Sequence, residues 1–103
     1  MTLSKDQILS QVSSYDVLNY YLQDFHSHGK LKKGQHISNP FIHPLRQKTP
    51  SFNIYPLNGQ WRYKDFATGD GGDCFDLITK LYGVSFLDAL KMIVRDFNLE
   101  YYG

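Results

Sequence analysis

The sequence predicts an α+β fold, with two N-terminal helices, a small antiparallel sheet built on one hairpin, and two C-terminal helices. Three observations predict it. Apolar residues fall at helical spacing at both ends of the chain, an Asn58-Gly59 pair separates two strand-like runs, and a glycine-rich stretch ending at Asp73 leads into the second helical half. At 103 residues the chain is expected to form one domain, 1–103, large enough to bury a modest core.

Residues 3–12 carry Ile8, Leu9 and Val12 at helical spacing. A second helix is expected from Ser14 as N-cap, with Asp16 in the first turn and Val17, Leu18, Tyr21, Leu22 and Phe25 on one face. Gly29 and Gly34 bracket a basic turn. Residues 36–41 suggest a short strand that Pro40 confines to an edge or an end, and Pro44 and Pro50 mark an irregular crossing. Phe52, Ile54 and Tyr55 give one strand, Asn58-Gly59 the hairpin turn, and residues 61–66 the return with alternation. Asp73 is placed to cap a helix over 74–81, with Asp76 in its first turn and Gly83 as its stop. Ser85 with Asp88 reads as a capping box, followed by a buried stripe of Phe86, Leu90, Ile93 and Phe97.

One cysteine, Cys74, excludes an intrachain disulfide and every Cys-x-x-Cys site. Lys5 and Asp6 interrupt any signal-like apolar run, and no stretch approaches a membrane span, so a cytoplasmic location is expected. The net charge is only +1, but its signs are segregated. Between 28 and 64 there is no acid, while Lys30, Lys32, Lys33, Arg46, Lys48, Arg62 and Lys64 all lie there. A one-sign block aligned with one structural unit points to an anionic partner, nucleic acid first. The plainer alternative is a basic surface kept for solubility.

The run Trp61-Arg62-Tyr63-Lys64 places aromatics on one strand face and cations on the other, or mixes them if the edge twists. Single-strand binding needs cations that follow phosphates and flat rings that accept bases. The candidate interface is therefore Lys30, Lys32, Lys33, Arg46, Lys48, Arg62 and Lys64 for phosphates, with Tyr55, Trp61 and Tyr63 for stacking. Against this stands the reading in which Trp61 and Tyr63 are core. The segment 69–73 lacks the lysine of a phosphate-binding loop, and Asp70 and Asp73 would repel phosphate, so it reads as a tight turn into a capped helix. His26, His28, His36 and His43 with Cys74 match no metal-ligand spacing. No nucleophile, acid–base pair or carboxylate cluster for nucleotidyl transfer is found, so the chain by itself is not expected to be an enzyme.

Two motifs, Lys48-Thr49-Pro50-Ser51-Phe52 and Asp65-Phe66-Ala67-Thr68-Gly69-Asp70-Gly71-Gly72-Asp73, together resemble the zinc-binding (CHC2-type) domain of bacterial and phage DNA primases. The segment Gly83-Val84-Ser85-Phe86-Leu87-Asp88-Ala89-Leu90 extends the resemblance, which covers residues 14–97. In that family a Cys-Pro-Phe-His step precedes the first motif and a Cys-Phe-x-Cys step opens the second, so that four side chains grip one zinc. With one residue deleted before Lys48, the ligand positions fall on His43, Arg46, Asp65 and Thr68. Structural zinc wants four Cys or His donors and an arginine is none, so the resemblance implies a retained scaffold and a lost metal, with no cofactor. Packing of the eight Tyr, seven Phe and one Trp is the expected substitute for the clasp.

The resemblance further implies a zinc-ribbon-like module of DNA replication that binds single-stranded DNA or template beside a separate primase catalytic domain or helicase. In the family the lysine of the first motif lies on the nucleic-acid side, which adds Lys48 to the interface. The polymerising chemistry of primases resides in a following domain, and nothing after Asn98 is long enough to be one. Variants of this metal-free kind are expected in phages and mobile elements. A second expectation is a regulatory module that docks on a replication protein without touching DNA, using Tyr101, Tyr102 and the outer face of the last helix. A third is a metal-binding domain with unconventional ligands.

Overall fold

A computed structural model describes residues 3–42 and 49–100. The chain opens with helix α1 (Lys5–Leu9) and helix α2 (Ser14–Leu22), the latter running into a 3₁₀ turn, Gln23–Phe25. A sheet of β1 (Phe52–Leu57), β2 (Gln60–Asp65) and β3 (Gly71–Asp73) follows, then α3 (Cys74–Tyr82) and α4 (Phe86–Asp96). The strands are antiparallel in the order β1-β2-β3, and the predicted α+β architecture is the one observed.

The caps explain where the helices start. Ser4 Oγ accepts from Gln7 N, Asp73 and Asp76 form a full capping box at α3, and Ser85 Oγ accepts from Asp88 N at α4. The α2 cap is Ser13 rather than Ser14. Ser14 sits one residue inside and is buried, and its hydroxyl accepts from Trp61 N at 2.8 Å, tying α2 to β2. Asn58 (φ 53) and Gly59 (φ 80) are both left-handed, as the two-residue turn between β1 and β2 requires.

Pleating divides β1 and β2 into two faces. Phe52, Ile54, Tyr63 and Asp65 point inward and are buried, whereas Tyr55, Arg62 and Lys64 share the outer face. α2 packs over β2, and α3 packs on α4 and α2. The core this closes includes Ile8, Leu18, Leu22, Leu31, Phe75, Leu77, Ile78, Leu90 and Ile93.

Four further expectations are corrected. Residues 36–41 form no strand: Ile37 makes one isolated bridge to Phe52, after which Asn39 Oδ1 accepts from Phe41 N and turns the chain away. The glycine stretch is more than a turn, because Gly71, Gly72 and Asp73 pair with Lys64, Tyr63 and Arg62 as β3. A Cβ on Gly72 would lie 2.6 Å from the Asp76 carboxylate, so the side-chain-free backbone is what lets the strand approach its capped helix. Phe86 is 43% exposed, outside the buried stripe, and packs its ring on Phe75 beneath the Lys5 ammonium. Phe25, lying past the end of α2, is also exposed.

Two carboxylates give the fold an acid limit. Burial pushes Asp96 and Asp73 upward, but hydrogen bonds outweigh it and hold both below the ordinary carboxylate range. Asp96 receives Arg95 Nε at 2.9 Å and Tyr21 OH at 2.6 Å, and Asp73 receives Lys5 Nζ at 2.9 Å and Asp76 N at 2.8 Å. A depressed folded pKa contributes stability above the unfolded value, lost as pH falls through the folded one. The melting temperature is therefore expected to hold from pH 8 down to about 5 and to fall below about pH 4, where unfolded carboxylates protonate; circular dichroism melts across that range check it.

Among the described residues, no helix is long and apolar enough to cross a membrane.

Candidate nucleic-acid interface

On the outer face of the hairpin a groove of about 490 Å³ is lined by Lys33, Gly34, His36, Asn53, Tyr55, Lys64 and Phe66. No acid lines it. Strand pairing sets Asn53 opposite Lys64 and Tyr55 opposite Arg62, which fixes the floor. The rim comes from the basic loop. Leu31 plugs that loop into the core, its N–H donating to Asn19 Oδ1 at 2.7 Å and its carbonyl accepting from Tyr15 OH at 2.7 Å. Gly34, at φ 72, then turns left-handed and donates its N–H to Ile54 O at 3.1 Å, docking the loop on the free edge of β1. Lys33 and His36 are thereby held beside Tyr55 and Lys64.

Phe66 completes the groove just past β2. Its N–H donates to Ser51 O at 3.2 Å, and its ring is 61% exposed. Lys64 Nζ stands 5.4 Å from the ring centroid, and the His36 ring lies 5.6 Å away. Cations and flat rings thus meet on one surface, the combination that takes a phosphate backbone and an unstacked base together.

Of the residues expected at the interface, the structure gathers Lys33, Tyr55 and Lys64 in the groove. Arg62 shares their face but leans toward a crevice with Lys5, Gln60 and Asp73. Lys32 is exposed in the same loop, and Lys30 faces away, toward Asp16, Tyr20 and Phe97. Arg46 and Lys48 lie outside the described residues.

Two of the stacking candidates are corrected. Tyr63 is only 1% exposed and stacks face to face on Phe52, with centroids 5.4 Å apart, while Phe41 closes on both rings. Trp61 is half-buried against Tyr15, with centroids 4.7 Å apart. Odd-numbered positions of β2 face the helices, so neither ring reaches the basic face. The Tyr63 hydroxyl is buried and has no hydrogen-bond partner among the described residues, and burial pushes its pKa upward. An orphaned buried hydroxyl costs stability. Tyr63→Phe is expected to keep or raise the melting temperature, whereas a drop of several degrees in a thermal melt would reveal a partner for that hydroxyl.

His36 and Phe66 were not among the expected interface residues. Phe66 was legible by carrying the strand alternation two positions past Lys64.

The ligand positions implied by the resemblance also have a geometry. Asp65 is 0% exposed, and its carboxylate accepts from Asn39 Nδ2 at 2.5 Å, Ser51 Oγ at 2.8 Å, Ala67 N at 2.7 Å and Thr68 N at 3.2 Å. Burial pushes its pKa up, but those four bonds win and hold it below the ordinary range. The Thr68 hydroxyl accepts from Asp70 N at 3.2 Å. His43 and Arg46 lie outside the described residues. Among the described residues no three His, Cys, Asp or Glu side chains converge as a metal site. A carboxylate occupied by four donors and a neutral hydroxyl do not fit a structural zinc, which takes thiolate and imidazole.

Residues 4–102 match the family model of the CHC2 zinc finger. Among curated proteins the chain is similar to the DNA primase of Chlamydia trachomatis, 33% identical over 54 residues that make up 52% of this chain and 9% of that protein. It is also similar to the DNA primase of Mycolicibacterium smegmatis, 38% identical over 47 residues, 46% of this chain and 7% of that one. The Mycobacterium tuberculosis H37Rv DNA primase is 36% identical over 47 residues, with the same two shares. The chain spans less than a tenth of the length of these primases.

Proposed function

The chain belongs to the CHC2 zinc finger family, and from that premise we propose that it is a nucleic-acid-binding module of DNA replication that holds single-stranded DNA in the groove of the hairpin. The observation that carries this reading is the groove, with no acid among its described lining residues, in which Lys33, Lys64 and His36 surround the half-buried ring of Tyr55 and the exposed ring of Phe66. The ammonium groups hold successive phosphates, and a base stacks on Phe66 with Tyr55 beneath. Lys32 and Arg62 extend the positive track at either end, and Lys48 joins it through the family resemblance. Single strands are preferred because a paired base keeps its faces stacked in the duplex and offers none to a ring.

In this reading the module has no chemistry of its own. It presents template to a separate primase catalytic domain or helicase, as the similarity to DNA primases suggests.

Fluorescence anisotropy of a labelled single strand, with a duplex of equal length as competitor, tests the proposal at about 50 and 200 mM salt. Saturable binding that weakens with salt and resists the duplex is expected. Absence of binding at both salts would favour docking on a replication protein instead. That second reading has its own support in the exposed rings of Tyr20 and Tyr82, where Tyr20 lies 5.0 Å from Phe97 and Tyr82 lies 6.1 Å from Tyr21.

A further inference from the structure

We infer that the Asp65 carboxylate is the clasp of this fold, tying together by hydrogen bonds the segments that a metal ion ties together in a zinc finger. The inference is independent of whether the groove binds nucleic acid. Asp65 ends β2, at a position the family gives to a zinc ligand. Its four donors come from three stretches of chain: Asn39 in the loop before the sheet, Ser51 at the threshold of β1, and Ala67 and Thr68 in the turn after β2. The turn is closed around it by backbone bonds, Gly69 N to Asp65 O at 2.8 Å and Asp65 N to Asp70 O at 2.8 Å.

The chemistry of the substitution is consistent. An ionised carboxylate accepts on both oxygens, and here Oδ1 accepts from Ser51 Oγ, Ala67 N and Thr68 N while Oδ2 accepts from Asn39 Nδ2. A buried anion is tolerated only when its bonds are charge-assisted and complete. The two backbone donors lie at the second and third residues after the acceptor, so the side chain organises its own turn. The expected aromatic packing is present beside it in Phe41, Phe52 and Tyr63. Those rings meet by contact alone. Asp65 joins the turn to the loop at Asn39 and, beside the Phe66 N–H bond to Ser51 O, to the strand threshold.

Elemental analysis of protein expressed with added zinc, together with thermal melts with and without EDTA, tests the inference on the full chain. Less than about 0.1 zinc per chain is expected, with melting unchanged by chelation. Stoichiometric zinc whose removal lowers the melting temperature overturns it. Asp65→Ala is expected to lower the melting temperature by about 10 °C or more, and to speed hydrogen exchange at the Ala67 and Thr68 amides before those of α2. A variant that melts within about 2 °C of the parent overturns the inference. If Asp65→Ala yields no folded protein, Asp65→Asn and Ser51→Ala replace it. The former sets an amide against the Asn39 amide, and the latter removes one donor. Both are expected to melt several degrees lower without gaining zinc, and parental melting of both overturns the clasp.

Discussion

Phe66→Ala is expected to weaken the binding of single-stranded DNA by roughly 5- to 150-fold, the equivalent of about 1–3 kcal/mol for one stacked base, and to leave the fold intact. The ring is 61% exposed and stands beyond the end of β2, so its removal opens no cavity. Exposed substitutions of this kind stay within about 0.5 kcal/mol. The backbone at this position is held by the bond to Ser51 O and by the turn that follows, neither of which needs the ring. The cation–π contact with Lys64 is worth little at an exposed site, about 0.5–1 kcal/mol at most. Parallel anisotropy titrations and thermal melts of the two proteins separate the effects. Equal affinity in the variant means that no base rests on this ring, and the groove is then an electrostatic surface only.

How much of this was readable beforehand depends on how local each signal is. The capped starts of α3 and α4 and the Asn58-Gly59 turn are each set by a few neighbouring residues, and all three appear where the sequence places them. β3 did not, because Gly71 and Gly72 carry no side-chain pattern and their pairing is decided by β2 and by the close approach of α3. The alternation of β2 was plain, but its phase was not. A polar residue usually marks the wet face, and Asp65 is polar yet fully buried. Local amides of Ala67 and Thr68 supply part of what makes that burial tolerable, and the rest comes from Asn39 and Ser51, 26 and 14 residues away. Once Asp65 is known to face inward, Tyr63 and Trp61 follow it, and the basic face is left to Arg62, Lys64 and Phe66. The buried acid therefore decides which residues are available for function.

The same pleat makes the charge contribution separable from the core. Lys33 and Lys64 approach the groove from different elements, one from the loop docked by Gly34 and one from β2, and both are exposed. Neither forms an ion pair among the described residues, so their charges are free for an anionic partner. Lys33→Gln with Lys64→Gln is expected to weaken single-strand binding about 10-fold or more at 50 mM salt. The slope of log affinity against log salt should flatten by about 1.4, or 0.7 for each phosphate of a single strand that is no longer neutralised. Melting should stay within a few degrees of the parent. The slope is the decisive readout, because a merely misfolded variant loses affinity while its remaining binding keeps the parental salt dependence. The matched pair Lys30→Gln with Lys91→Gln, which removes the same charge at two positions away from the groove, controls for net charge alone. If both double variants lose affinity equally, the protein attracts DNA through its overall charge and the groove has no special part. If only the groove variant changes slope, the phosphates lie along Lys33 and Lys64.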